Sequence, residues 1–91
     1  MLEFKGFHPK DVTTEIALKL TESGVQYQNL DSGAFQFIPY NQIAGFSGWK
    51  PGYGSLHIYS NNPNLTIHLN FAEDVATMAL EKIQRHLEEK V

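Results

Sequence analysis

Two histidines, His57 and His68, come closest in this chain to a pair of side chains that could do chemistry. They lie in alternating apolar runs joined by 61–64, Asn-Asn-Pro-Asn, which can form a hairpin loop. If Ser60 faces Leu65, His57 lies directly opposite His68. Neighbouring imidazoles can share a metal ion, or repel one another once protonated. Two ligands are too few for a tight site, so we predict a solvent-facing pair and no metal site, with His57 and His68 as weak metal candidates.

An aromatic, glycine-rich loop over residues 48–54 is the second candidate site. Trp49 and Tyr53 are flanked by glycines and could present rigid contact area on a mobile hinge. The alternative is that the Trp49 ring closes the sheet and packs against Phe46, as large aromatic side chains in small domains usually do. The functional interpretation predicts that a partner contacts Phe46, Trp49, Lys50 and Tyr53.

Residues suited to catalysis form no recognisable set. Ser47 lies in Gly-Phe-Ser-Gly, 45–48, which falls short of a nucleophile elbow and does not open a helix. Carboxylates are spread over turns and the exposed side of the last helix, where capping and solvation explain them. The glycines of 48–54 lead into a strand, so no helix N-terminus is available there for a phosphate. We predict no catalytic residue, no cofactor and no enzymatic activity.

The charge balance argues against several classes of partner. Ten carboxylates and seven basic residues give a net charge of -3, and three of the seven, Lys82, Arg85 and Lys90, lie on the last helix. Binding to nucleic acid or to an anionic membrane depends on clustered Lys and Arg. The sequence therefore predicts no nucleic-acid binding. Membrane insertion is not expected either, because the apolar runs are far shorter than the ~20 residues that span a bilayer.

Length and cysteine content set the broad class. Residues 1–91 suffice for one domain with a single core. The chain has no cysteine, so disulfides and thiolate metal sites are excluded. The residues after Met1 do not resemble a signal peptide, and a cytoplasmic location is the resulting expectation.

Alternation of apolar and polar residues predicts an antiparallel sheet over residues 15–69. Residues 1–14 are expected to form an edge strand or arm. Phe35 and Phe37 are expected on the core face, and Pro39 ends their strand because it has no amide donor. The register that pairs the two histidines also predicts three further cross-strand pairs: Leu56 with Leu69, Ile58 with Ile67, and Tyr59 with Thr66.

A single amphipathic helix is predicted over residues 71–90. Asn70 is a good N-cap, Glu73 follows three residues later as its capping-box partner, and Asp74 suits the positive end of the helix dipole. The stripe expected to pack on the open face of the sheet comprises Ala76, Ala79, Leu80, Ile83 and Leu87.

Taken in order, the strands, the segment 37–43, the Gly/Trp loop, the hairpin and the terminal helix resemble the pleckstrin-homology-like (PH-like) family, particularly its compact bacterial type. A narrower similarity is to the N-terminal PH-like module of the smaller subunit of the FACT histone chaperone. Its matching features are Leu2-Glu3-Phe4, Leu18-Lys19-Leu20-Thr21, Asn29 with Ser32-Gly33, Ile43, Trp49, and Leu56 ahead of Asn61. The resemblance implies an α+β fold, an antiparallel β-barrel or sandwich of six to seven strands closed by one C-terminal α-helix.

The PH-like fold hosts lipid binders, peptide binders and scaffolds. Phosphoinositide-binding members use several Lys and Arg in the first hairpin loop and its strands. That loop contains Glu22 and no basic residue if it is 21–24, and only Lys10 if it is 8–14. A multiply charged phosphate needs several cations or donors. Phosphoinositide binding is therefore not expected.

These observations predict a non-enzymatic protein-interaction or assembly module that binds a protein partner or a second copy of itself. The aromatic loop and an unpaired sheet edge, 16–21 or 43–49, are the expected contact surfaces. A lipid or small-anion ligand-binding module is the alternative. A metal-dependent enzyme is the third possibility, and it requires a third ligand beside His57 and His68.

Overall fold

The computed structural model describes residues 2–49 and 54–91, with the backbone alone at Trp49. In these residues seven strands precede one helix. In chain order they are β1 (Leu2–His8), β2 (Asp11–Leu20), β3 (Gly24–Asn29), β4 (Phe35–Pro39), β5 (Ile43–Trp49), β6 (Gly54–Ser60), β7 (Thr66–Phe71) and α1 (Glu73–Lys90), with a 3₁₀ turn (Tyr40–Gln42) between β4 and β5.

The strands form one antiparallel sheet in the order β4-β3-β2-β1-β7-β6-β5. Its two outer strands, β4 and β5, do not pair with each other in the described part of the chain, so the sheet is not a closed barrel. The arrangement is consistent with a sandwich. The predicted α+β class, with six to seven antiparallel strands and one C-terminal helix, is confirmed.

The expectation of an edge strand or arm at residues 1–14 is wrong. β1 is the central strand, paired with β2 from Leu2↔Leu20 to Phe7↔Glu15 and with β7 at Phe7↔Asn70. The physical reason is that Gly6 has no Cβ and so lets β7 approach β1 at Asn70, while the Phe4 ring packs edge-on against Phe71 with centroids 6.4 Å apart. Because β2 lies between β1 and β3, the segment 16–21 is not a free edge, whereas 43–49 has one unpaired side among the residues that the structure describes.

The hairpin of β6 and β7 has the predicted register. His57 pairs with His68 and Tyr59 with Thr66. The pairs Leu56↔Leu69 and Ile58↔Ile67 bring four buried side chains to the core face. Period-two alternation on both strands leaves one register that buries both apolar sets, which is why this part of the sheet could be predicted.

Phe35 and Phe37 do not lie on the core face, contrary to the sequence prediction. Phe35 is 55% exposed, and the fully buried residue of β4 is Ile38, opposite Val25. The pairing Phe37↔Gln26 puts both phenylalanines on the outer face and directs Gln36 inward beside Tyr27. The strand is therefore displaced by one residue from the predicted alternation.

The helix packs on the core through the expected stripe. Ala76, Ala79, Ile83 and Leu87 are buried, and Leu80 is partly buried against them. No helix among the described residues is both long enough and apolar enough to cross a membrane.

The predicted N-cap of the helix is wrong. α1 begins two residues later than an N-cap at Asn70 requires, with Ala72 at the N-cap position and no side-chain cap. Asn70 belongs to β7, where its Oδ1 accepts a hydrogen bond from Ser55 Oγ at 2.7 Å. The amide side chain therefore joins β6 to β7, and the first turn of the helix relies on Glu73 and Asp74 at the positive end of its dipole.

Candidate functional site

The paired histidines form a ring stack on the outer face of β6 and β7. The rings of His57 and His68 lie 3.7 Å apart between centroids, at an interplanar angle of 26°. Tyr59, two residues further along β6 and on the same face, stacks beside His57 with centroids 5.9 Å apart. The register of the hairpin thus brings three aromatic rings together with no covalent constraint.

The surroundings of the stack disfavour a proton on His68, and the ring geometry does not suit a shared metal. Burial lowers the pKa of His68, and the charges of His57 and His8 lower it further. Rings stacked face to face direct their nitrogen lone pairs along the ring planes, not at a common point. Among the described residues no group of three or more His, Asp or Glu is placed to hold a metal ion. The geometry gives His57 and His68 no support as metal ligands.

A polar depression of about 320 Å³ lies next to His68, between the β1–β2 turn and strands β3, β4 and β7. Its lining residues are His8, Pro9, Lys10, Tyr27, Gln36, Thr66 and His68. Burial raises the pKa of Tyr27, so its phenol keeps its proton near neutral pH. His8 Nδ1 accepts the Lys10 amide at 3.1 Å, so the ring proton of neutral His8 is on Nε2.

Gln36 carries the unsatisfied group in this depression. Its Oε1 is buried and has no hydrogen-bond partner in the described part of the protein. Buried acceptors are nearly always paired, and an unpaired one costs roughly 1–3 kcal/mol. The depression therefore offers donors at its rim, above a buried acceptor that lacks a donor. The alternation of the sequence does not predict this site, because it places Phe35 and Phe37, rather than Gln36, on the inner face of β4.

A second depression, of about 200 Å³, lies between β5, β6 and the helix; we call it the β5–α1 cleft. It is lined by Phe46, Ser47, Gly48, Leu56, Leu80 and Gln84. A Cβ atom at Gly48 would come 3.2 Å from Leu80, so the glycine keeps this cleft open. At Gly54 a Cβ would come 2.7 Å from that of Ala76, which shows how closely α1 packs on β6.

The predicted contact residues are only partly placed by the structure. Phe46 is half-buried, packs against the core and lines the β5–α1 cleft. The backbone of Trp49 pairs with Ser55 at the end of β5, but its side chain lies outside the described residues. Lys50 and Tyr53 lie outside the described residues as well, so the role of the aromatic loop in partner binding stays a prediction.

His86 of the helix contacts Tyr40 of the 3₁₀ turn, which in turn binds the backbone at Thr21. The Tyr40 hydroxyl donates to the Thr21 carbonyl oxygen at 2.5 Å and lies 2.8 Å from His86 Nε2. Because the hydroxyl has one proton, His86 Nε2 must be the donor of the second bond. Burial lowers the pKa of His86, as does the charge of Lys90. No sequence motif predicts this contact, since Tyr40 and His86 are far apart along the chain.

Comparison of the chain with protein-family models, with curated proteins and with solved structures found no match. The candidate sites therefore depend on the geometry of this chain alone.

Proposed function

We propose that this chain is a non-enzymatic protein-interaction module of PH-like fold, which binds an extended segment of a partner along β5. The observation that carries the proposal is the position of β5 at the end of the sheet, beside the β5–α1 cleft. An outer strand leaves one row of backbone N–H and C=O groups available, and an added strand can pair with them.

The cleft supplies the means to distinguish one segment from another. In a bound strand, alternate side chains point to the same side, so one of them would enter the space over Gly48. Phe46, Leu56 and Leu80 offer that side chain an apolar surface, and Gln84 offers a polar group at the rim. An extended segment with an apolar residue at this position is the ligand that the cleft suits.

Two glycines of β5 provide a matched test. Gly48→Val fills the cleft, because a Cβ there already contacts Leu80 at 3.2 Å, whereas Gly45→Val enters open space with no atom within 4 Å. The probe is a displayed library of random linear peptides, selected on the immobilised protein. We expect enriched peptides to bind the wild type and Gly45→Val but not Gly48→Val, and to shift the backbone amide resonances of β5.

Two results would contradict the proposal. One is peptides that bind both glycine variants equally well. The other is resonance shifts confined to a surface away from β5. Gly48→Val presses on Leu80 and Gly45→Val does not, so the two variants can differ in stability as well as in the cleft. Thermal unfolding followed by circular dichroism therefore accompanies the peptide measurement, and the comparison uses conditions in which both variants are folded.

A second candidate function, binding of a small anionic ligand, is favoured by the donors that line the depression beside His68. His8, Lys10 and Thr66 can each donate to a phosphate or carboxylate there. Inorganic phosphate is the probe. We expect it to shift the backbone amide resonances of His8 and Lys10, and we expect Lys10→Ala to weaken this binding. An unchanged spectrum at millimolar phosphate would contradict this second function.

A further inference from the structure

The side of α1 that faces β1 carries exposed apolar residues beside two depressions. Val75 and Met78 are 37% and 54% exposed, and Leu2 of β1 is 37% exposed. The first depression, of about 280 Å³, is lined by Glu3, Phe4, Lys5, Phe71, Val75, Met78 and Ala79. The second, of about 270 Å³, is lined by Leu2, Lys82, Arg85, His86 and Glu89. Together they follow most of the helix on the side away from the β5–α1 cleft.

The helix residues of this surface lie in one stripe. Val75, Met78, Lys82, Arg85 and Glu89 are spaced alternately by three and four residues, the spacing that brings side chains to one side of a helix. We call them the β1-side stripe. The chemistry of the stripe changes along the helix. Asp74 lies beside its start, the apolar residues Val75 and Met78 follow, and the exposed cations Lys82 and Arg85 precede Glu89.

We propose that the β1-side stripe is the contact surface of a symmetric dimer, in which a second copy of this chain packs its α1 antiparallel to the first. A two-fold axis between Met78 and Lys82 places Met78 of each copy against the aliphatic stem of the other's Lys82. The same axis places Asp74 of each copy beside Arg85 of the other. Met78 of the second copy then enters the depression whose apolar wall is Leu2.

The order of charges favours a second copy over an unrelated partner. Reversing the helix puts Asp74 of each copy near Arg85 of the other, and the two-fold axis forms this pair twice. Glu89 then lies near the first turn of the second copy's helix, which already carries Glu73 and Asp74, so the two Asp74–Arg85 pairs must outweigh this repulsion.

The proposal goes beyond the proposed function, because it uses the opposite side of α1 and leaves the β5 edge free. A dimer of this kind would carry two β5 edges. If both edges bound segments of one partner, the second binding event would be intramolecular and the overall affinity higher.

Sedimentation velocity of the wild type from low micromolar to near-millimolar concentration tests the dimer. We expect a reversible dimer, and we expect Met78→Lys to weaken it by about tenfold or more, since it puts a second ammonium group against Lys82 of the other copy. Val12→Lys is the matched control. Val12 is 73% exposed at the start of β2, away from the stripe, so this variant should dimerise as the wild type does.

A charge exchange tests the orientation of the two helices. Asp74→Lys and Arg85→Glu should each weaken the dimer, and the double variant should restore it, because the opposite charges then meet again. Circular dichroism of each variant checks whether the helix is retained.

Two results would overturn the dimer proposal. One is a wild type that is monomeric at every concentration. The other is a dimer that Met78→Lys leaves intact. Neither result affects the test of the β5 edge, which measures peptide binding to the two glycine variants.

Discussion

The two outer strands of the sheet, β4 and β5, differ in how each edge is protected from further pairing. β4 has five residues and ends at Pro39, and proline and short length are two of the ways in which proteins protect a sheet edge. β5 has seven residues, none of them proline, and its pairing with β6 is irregular between Ile43 and Gly45. Both strands reach the core, β4 through Ile38 and β5 through Ile43 and Phe46. From Gly45 onwards β5 pairs regularly and has no proline, so it offers the longer stretch to an added strand.

The first prediction tests whether β4 is a core strand. Ile38→Ala should lower the free energy of unfolding by about 2–5 kcal/mol, because it leaves a cavity at a fully buried position. Phe35→Ala, three residues earlier and on the exposed outer face, should change it by less than about 0.5 kcal/mol. Urea unfolding followed by circular dichroism measures both. A larger effect at Phe35 than at Ile38 would mean that the strand has the opposite register.

β4 also shows where prediction from the sequence stops. Phe-Gln-Phe-Ile offers apolar residues to both faces, so alternation alone does not decide which face is buried. The register is decided by the turn before the strand, in which Gly33 adopts φ +81° and Asn29 Oδ1 accepts the amides of Asp31 and Ser32. Such a turn is set by local hydrogen bonds that a periodicity argument does not include.

The hairpin of β6 and β7 shows the opposite case. Both strands alternate strictly, so one register buries both apolar sets, and the His57–His68 pair could be predicted from it. The distance between the two stacked rings could not be predicted, because it depends on side-chain rotamers. The Gln36 site and the Tyr40–His86 contact depend on residues from separate elements, and no local pattern in the sequence brings those residues together.

The second prediction compares glycines at the two ends of the sheet. Gly24→Ala, in the strand next to β4, should cost about 1–3 kcal/mol, since its Cβ would lie 2.5 Å from the Ile38 carbonyl oxygen and 2.9 Å from Pro39 Cα. Gly45→Ala in β5 should be neutral or slightly stabilising, because the site is open and alanine restricts the unfolded chain. Thermal unfolding of the two variants measures the contrast. Equal losses of stability would show that β5 is packed as tightly as β4.

The third prediction concerns the chain as it leaves β4. Tyr40→Phe removes the hydroxyl that donates to the Thr21 carbonyl and accepts from His86. We expect a loss of about 1 kcal/mol, typical for a part-buried hydrogen bond, measured by chemical unfolding. Tyr59→Phe is the control, because Tyr59 is 45% exposed on β6 and its hydroxyl should contribute little. If the two variants lose the same stability, the contact does not hold the end of β4 in place.

The smallest expected effect is the dependence of stability on pH, which both halves of the sheet share. Folding lowers the pKa of His68 in β7, and that of His86 beside the end of β4, below the ordinary value of 6.5. As the pH falls through that value, the unfolded chain takes up protons that the folded protein still resists. Stability is therefore present above about pH 6.5 and is lost towards the lower folded pKa.

Replacing each histidine separately assigns this pH dependence to one half of the sheet. His68→Gln should reduce the loss of stability between about pH 7 and pH 5, because it removes one of the two groups whose protonation favours unfolding. His86→Gln should remove a separate part of this loss of stability. Because His68 and His86 lie on different elements, the effects of the two substitutions should add. Unfolding curves at several pH values measure both. If the free energy of unfolding of His68→Gln depends on pH as that of the wild type does, protonation of His68 does not destabilise the folded protein. The pH dependence would then not come from His68 in this half of the sheet.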